Sequence, residues 1–191
     1  MGQHSIIFNG RMEELLVALI LILSTMSIIG LDLAGVETRP TGYCRLFGME
    51  AKTSLICTDE EILSKIREPC PRVVAIDAPL SLPPGRKSLE KRNGNHLRDC
   101  DRELLKRGIK FFPVTLGPMR KLTERGIRLK KILENEDVVV LEAYPGGAQD
   151  VLGIPRKQKG LEKLRSGLEN LGIMGLRSEM SDHELDAITC A

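Results

Sequence analysis

Three acidic residues stand at matching places in this chain. Asp32 closes the apolar run Ser27-Ile28-Ile29-Gly30-Leu31, Asp77 closes Val73-Val74-Ala75-Ile76, and Glu142 closes Val138-Val139-Val140-Leu141. A fourth carboxylate, Asp186, lies one helical turn from Asp182 and three residues from His183. Taken singly, an Asp at a strand end is usually a turn former or a helix cap. Gathered at one edge, such acids repel one another, and a cation is their natural partner. Carboxylates without an ordered Cys/His set favour Mg²⁺ or Mn²⁺ over zinc. Two such ions about 4 Å apart activate water and stabilise the leaving oxygen in phosphodiester hydrolysis. The candidate metal ligands are therefore Asp32, Asp77, Glu142 and Asp186. His183 is a candidate proton shuttle, although a surface histidine paired with an acid accounts for it equally well.

These residues can meet only if the elements carrying them are arranged for it. If the three apolar runs are parallel neighbours, their C-terminal tips bring the acids to one edge, where open α/β sheets place their ligand sites. Ala34 and Gly35, just beyond Asp32, would let a ligand or phosphate approach the backbone. Tyr43 to Phe47 and Lys52 to Cys57 read as strands two and three, joined tightly through Gly48-Met49-Glu50. Thr58-Asp59-Glu60-Glu61 has capping-box spacing and opens a helix that Pro69 and Pro71 stop. Strand four, Val73 to Ile76, completes a βββαβ order. Asp99 to Arg107 and Pro118 to Glu134 read as helices, the second with a candidate break at Gly126. After strand five, a short helix is expected near Ala148 to Leu152. Leu161, Leu164, Leu168 and Leu171 give the next helix its apolar face, and a second capping box at Ser181 opens a helix carrying Leu185 and Ile188 inward.

With 191 residues and 42% hydrophobic content, the chain can bury one substantial core, so residues 27–191 read as one domain. Aromatic residues make up only 3% and Trp is absent, which counts against a base-stacking module. The five cysteines are odd in number and lack a C-x-x-C pair, which argues against a disulfide framework or zinc ribbon and fits a reduced, cytoplasmic setting. Charge is uneven. Residues 81–131 hold 15 Lys/Arg against 5 Asp/Glu, within a chain that is acidic on either side. That block is the footprint of a phosphate-rich partner, either DNA or RNA, with Arg98, Arg102 and Lys157 as candidate phosphate contacts; solvated helix faces give the blander explanation. The nine apolar residues Leu15 to Leu23 fall short of the roughly 20 needed to span a bilayer, and no basic segment or cleavage site marks a signal peptide. No stable membrane insertion is expected. Met26, directly before the first strand, is the expected start, leaving residues 1–26 as an apolar extension.

Gly30-Leu31-Asp32-Leu33-Ala34-Gly35 with Arg39-Pro40-Thr41-Gly42, then Ala75-Ile76-Asp77-Ala78-Pro79, Arg98-Asp99-Cys100-Asp101-Arg102, Glu142-Ala143-Tyr144-Pro145-Gly146 and His183-Glu184-Leu185-Asp186-Ala187 form an ordered series. From about Ser27 onward it resembles an uncharacterised family of predicted nucleases with a ribonuclease H-like fold. The resemblance implies an α/β fold with a mixed five-stranded sheet flanked by helices. By the pattern of the wider superfamily, it also implies metal-binding acids from the first strand, the fourth strand and the last helix, here Asp32, Asp77 and Asp186, with Glu142 a fourth. The function implied is a metal-dependent nuclease. Two other classes compete. An ATP-using phosphotransferase of the actin and sugar-kinase type calls for Gly- and Thr-rich phosphate loops, of which Asp32-Leu33-Ala34-Gly35 and Thr41-Gly42 are a thin version. The third is a non-catalytic module that binds nucleic acid.

Overall fold

The computed structural model describes residues 27–90 and 94–191. The apolar run Leu15 to Leu23 and the expected start at Met26 lie outside the described residues, as do Lys91 and Arg92 of the basic block.

Strand β1 (Ser27–Asp32) is the centre of the sheet, and its largely apolar sequence follows from having layers on both faces. On one side it pairs antiparallel with β2 (Thr41–Phe47), which pairs antiparallel with β3 (Glu50–Ile56). On the other it pairs parallel with β4 (Val73–Ile76), which pairs parallel with β5 (Val139–Glu142). The order is β3-β2-β1-β4-β5, a mixed five-stranded sheet of an α/β fold. The register sets Leu31 beside Ile76 and Ile76 beside Glu142, so the three strands end almost level. Their tips share one edge, as the matching acidic endings predict.

Helices cover both faces. Helix α1 (Asp59–Arg67) opens on the expected capping box: the Glu61 amide donates to Thr58 Oγ1, and the Thr58 amide donates to Glu61 Oε2. Helix α2 (Asp99–Lys106) and the long α3 (Gly117–Glu134) follow. No break occurs at Gly126. A Cβ there would meet Ala78 and Leu80 side-chain atoms at 3.0 Å, so this glycine lets α3 approach the chain beyond β4 rather than ending the helix. Helix α4 (Pro145–Leu152) starts three residues earlier than expected, because Pro145 sits in its first turn, where a missing N–H costs nothing. A 3₁₀ turn (Lys157–Lys159), α5 (Leu161–Asn170) and α6 (Asp182–Cys190) complete the described chain, α6 with its own capping box at Ser181.

Two apolar clusters separate the layers. Ile29, Leu31, Ile62, Ile66, Leu129 and Leu133 pack α1 and α3 on one face. Cys44, Leu46, Leu164, Leu168, Leu185 and Ile188 pack α5 and α6 on the other. Two glycines bring α6 closest. A Cβ on Gly30 would lie 2.1 Å from the Ala187 carbonyl oxygen, and one on Gly42 would lie 2.0 Å from that of His183. Neither position tolerates a side chain, so α6 rests directly on the backbones of β1 and β2 beside Asp32. Among the described residues no helix is long and apolar enough to cross a membrane.

Candidate functional site

Docking α6 on the sheet brings its polar residues to the strand tips. The Nδ1–H of His183 donates to Asp32 Oδ2 at 2.6 Å, a carboxylate oxygen being able only to accept. Three residues on, Asp186 is nearly buried. Gln149 of α4 donates to its Oδ1 at 2.8 Å, and the Lys157 ammonium lies 2.8 Å from its Oδ2. Lys157 also reaches Asp182 at 3.1 Å. Asp77 enters the same group from β4, its amide donating to the Leu31 carbonyl at 2.8 Å and so extending the strand pairing past Ile76.

The electrostatics follow from this crowding. Burial pushes the Asp77 carboxyl well above the ordinary range, and the charges of Asp32 and Asp186 push it further. Asp32 is also raised, chiefly by burial, although its hydrogen bond to His183 works the other way. Burial opposes the Lys157 ammonium, but its bonds to Asp186 and Asp182 and the nearby Asp32 charge outweigh that and hold its pKa above the ordinary value. Burial would raise Asp182, and Lys157 together with His183 more than reverses this. The cluster thus contains three carboxylates from separate elements with an ammonium among them. A family model described as a protein of unknown function (DUF429) matches residues 30–191, a span that takes in every one of these groups.

The chain belongs to the DUF429 family. No curated protein matches it.

In this DUF429 domain Asp32, Asp77 and Asp186 offer the hard oxygen donors that suit Mg²⁺ or Mn²⁺. Among the described residues no three His, Cys, Asp or Glu side chains form a ready-made metal cage. The charge is met instead by Lys157, so an entering cation would have to displace that ammonium. Gln149, and the Lys157 ammonium among the acids, are features of the cluster that sequence reasoning missed. Nothing in Gly146-Gly147-Ala148-Gln149 marks the glutamine, and a lysine in a basic loop reads as outward-facing.

Glu142 is not brought into the acidic set. Arg98 clamps it, with Nη1 2.6 Å from Oε2 and Nη2 2.7 Å from Oε1, and the Leu80 amide donates to it at 2.8 Å. The same guanidinium pairs with Asp101 at 2.7 Å, and Arg98 and Asp101 are buried. Burial opposes the Arg98 charge, yet the two carboxylates hold its pKa above the ordinary value. Glu142 is therefore engaged as a strut between β5, α2 and the chain after β4, and the Arg98 guanidinium is taken up by two carboxylates instead of standing as a free phosphate contact. Arg102 remains partly exposed and pairs with Asp99 at 2.8 Å. The Ala34–Gly35 turn is also filled by protein. The Ala34 amide donates to Thr41 Oγ1, its carbonyl accepts from the buried Arg125, and a Cβ on Gly35 would meet the Leu122 backbone nitrogen at 3.4 Å.

Beside Asp77 and Asp186 opens a cavity of about 650 Å³. Phe111, Phe112, Tyr144 and Arg156 line its other walls.

Proposed function

We propose that this DUF429 domain is a metal-dependent nuclease that hydrolyses phosphodiester bonds of nucleic acid at the Asp32–Asp77–Asp186 cluster with Mg²⁺ or Mn²⁺. The observation that carries the reading is the convergence of carboxylates from three distant parts of the chain: the tip of β1, the tip of β4 and the face of α6. The sheet order, with three antiparallel strands followed by two parallel ones, supports the ribonuclease H-like form of this reading. A divalent ion bound there supplies activation of water and neutralisation of the leaving oxygen. Asp32, Asp77 and Asp186 would hold it. His183 fixes the Asp32 carboxylate through Nδ1, which leaves Nε2 as its nitrogen for moving a proton. Lys157 balances the acids here, and with a cation bound its ammonium would pair with the substrate phosphate. An ATP-using phosphotransferase draws less support, because the turn after β1 that would cradle phosphates is occupied by Arg125, Thr41 and α3.

The test is cleavage of labelled single-stranded, duplex, hybrid and branched substrates with Mg²⁺ or Mn²⁺. Asp32→Asn and Asp77→Asn are expected to abolish cleavage while retaining the thermal transition, and His183→Ala to slow it about 100-fold. Cleavage that persists in both Asp variants removes the assignment from this site. Salt-sensitive binding without any turnover identifies a non-catalytic module instead.

A further inference from the structure

The sequence is poor in aromatic residues, with four Phe, two Tyr and no Trp. Half of these six, Phe111, Phe112 and Tyr144, line a cavity that adjoins Asp77 and Asp186. The concentration is not explained by the core. Phe112 is 72% exposed, and neither Phe111 nor Tyr144 is fully buried. An aromatic ring left so open to water forgoes the stabilisation its burial would bring. A second, smaller cavity of about 190 Å³ touches the same three rings and Asp77, and its walls include Arg98 and Glu142.

The aromatic wall is held in place. The Tyr144 hydroxyl donates to the Lys110 carbonyl, tying the Phe111–Phe112 segment to the start of α4. On its other side the Arg156 guanidinium lies 5.7 Å from the Tyr144 ring centroid and pairs with Asp150 at 2.8 Å. Cations from Lys110, Arg156 and Lys157 complete the rim, and Lys110 has no ion-pair partner among the described residues. Flat apolar faces, cations and a carboxylate cluster stand around the same space, the chemistries that suit a base, a phosphate and the bond to be cut.

We propose that this cavity takes one unstacked base of a single-stranded nucleic acid between Phe111, Phe112 and Tyr144, with the adjoining phosphate led by Lys110 and Lys157 toward the acidic cluster. The inference rests on the nuclease reading for its orientation, but not for its binding chemistry. At about 650 Å³ the space falls within the range of pockets for small ligands, enough for a single nucleotide. A base within a duplex has both faces already stacked and cannot offer one to the rings, so single strands are selected over duplexes.

The experiment is fluorescence anisotropy of labelled oligodeoxy- and oligoribonucleotides with the full chain in EDTA, which prevents metal-dependent turnover. A single strand is expected to bind at least tenfold more tightly than its duplex or an abasic strand of equal length. Phe112→Ala and Phe111→Ala are each expected to weaken that binding by about tenfold. Phe112→Tyr, which keeps the ring, retains it, whereas Phe112→Leu, which keeps only apolar bulk, does not. Equal affinity for the abasic strand, indifference to the ring substitutions, or no binding to any strand overturns the proposal. Cleavage by the same preparation is scored separately. Ring-dependent binding without cleavage upholds the cavity and discards the nuclease, and duplex-preferring cleavage indifferent to Phe112 does the reverse.

Discussion

Asp77 concentrates the electrostatic tension of the site. Its folded pKa lies well above the unfolded value because burial and two neighbouring carboxylates disfavour the charge. Well below the unfolded pKa of about 3.9 both states are protonated and the residue has no effect on stability. As pH rises, the unfolded chain ionises first, so folding stability falls until the pH passes the folded pKa, and the loss is complete above it. Asp77→Asn is therefore expected to stabilise the metal-free protein at pH 7.5 and to leave it nearly unchanged at pH 3.5, as read by thermal melts at the two values. A divalent cation acts on the same imbalance. Saturating Mn²⁺ is expected to raise the wild-type Tm by about 5 °C, and to do so far less in Asp77→Asn. Asp32, Asp77 and Asp186 were legible in the sequence because strand endings and a capping box fix where their backbones lie. Glu142 follows the same strand-end pattern and has a different fate. The rule locates a Cα, but the partner of the side chain is Arg98, 44 residues away, and nothing local announces that pairing.

At the scale of elements, two contacts hold the site together. The first is α6 against the backbones of β1 and β2, which exists because Gly30 and Gly42 have no side chains. Gly42→Ala would drive a methyl group into the His183 carbonyl and is expected to cost about 3 kcal/mol of stability in urea unfolding, with loss of the Asp32–His183 contact visible in the histidine NMR signals. Sequence reading located these glycines but took the small residues after β1 as the ones making room, since a Gly on a strand does not say what approaches it. The second is the Arg98 clamp. Arg98→Met leaves Asp101 buried without its cation and deprives Glu142 of its main partner, and is expected to lower stability by about 3–5 kcal/mol, measurable by chemical denaturation.

Across the whole molecule, about half of the basic block is held by ion pairs among the described residues: seven of its fifteen cations. Arg98, Arg102, Lys106, Arg107, Arg125, Arg128 and Lys130 each lie within salt-bridge distance of a carboxylate. Composition counts charges but not their partners, so the excess of cations in residues 81–131 overstated the surface offered to phosphate. Oligonucleotide binding is accordingly expected to weaken with salt at a log–log slope no steeper than about −3, a value set by a few contacts rather than by the whole block. The strand order itself was legible, because parallel neighbours ending in acids and a meander with short turns leave few arrangements open.

Asp32 and His183 are 151 residues apart along the chain, yet hydrogen-bonded in the fold. During synthesis the first of them leaves the ribosome long before the second has been translated. A nascent chain therefore carries Asp32 and Asp77 without Asp186 or His183, and the carboxylate cluster assembles only after α6 has emerged and docked.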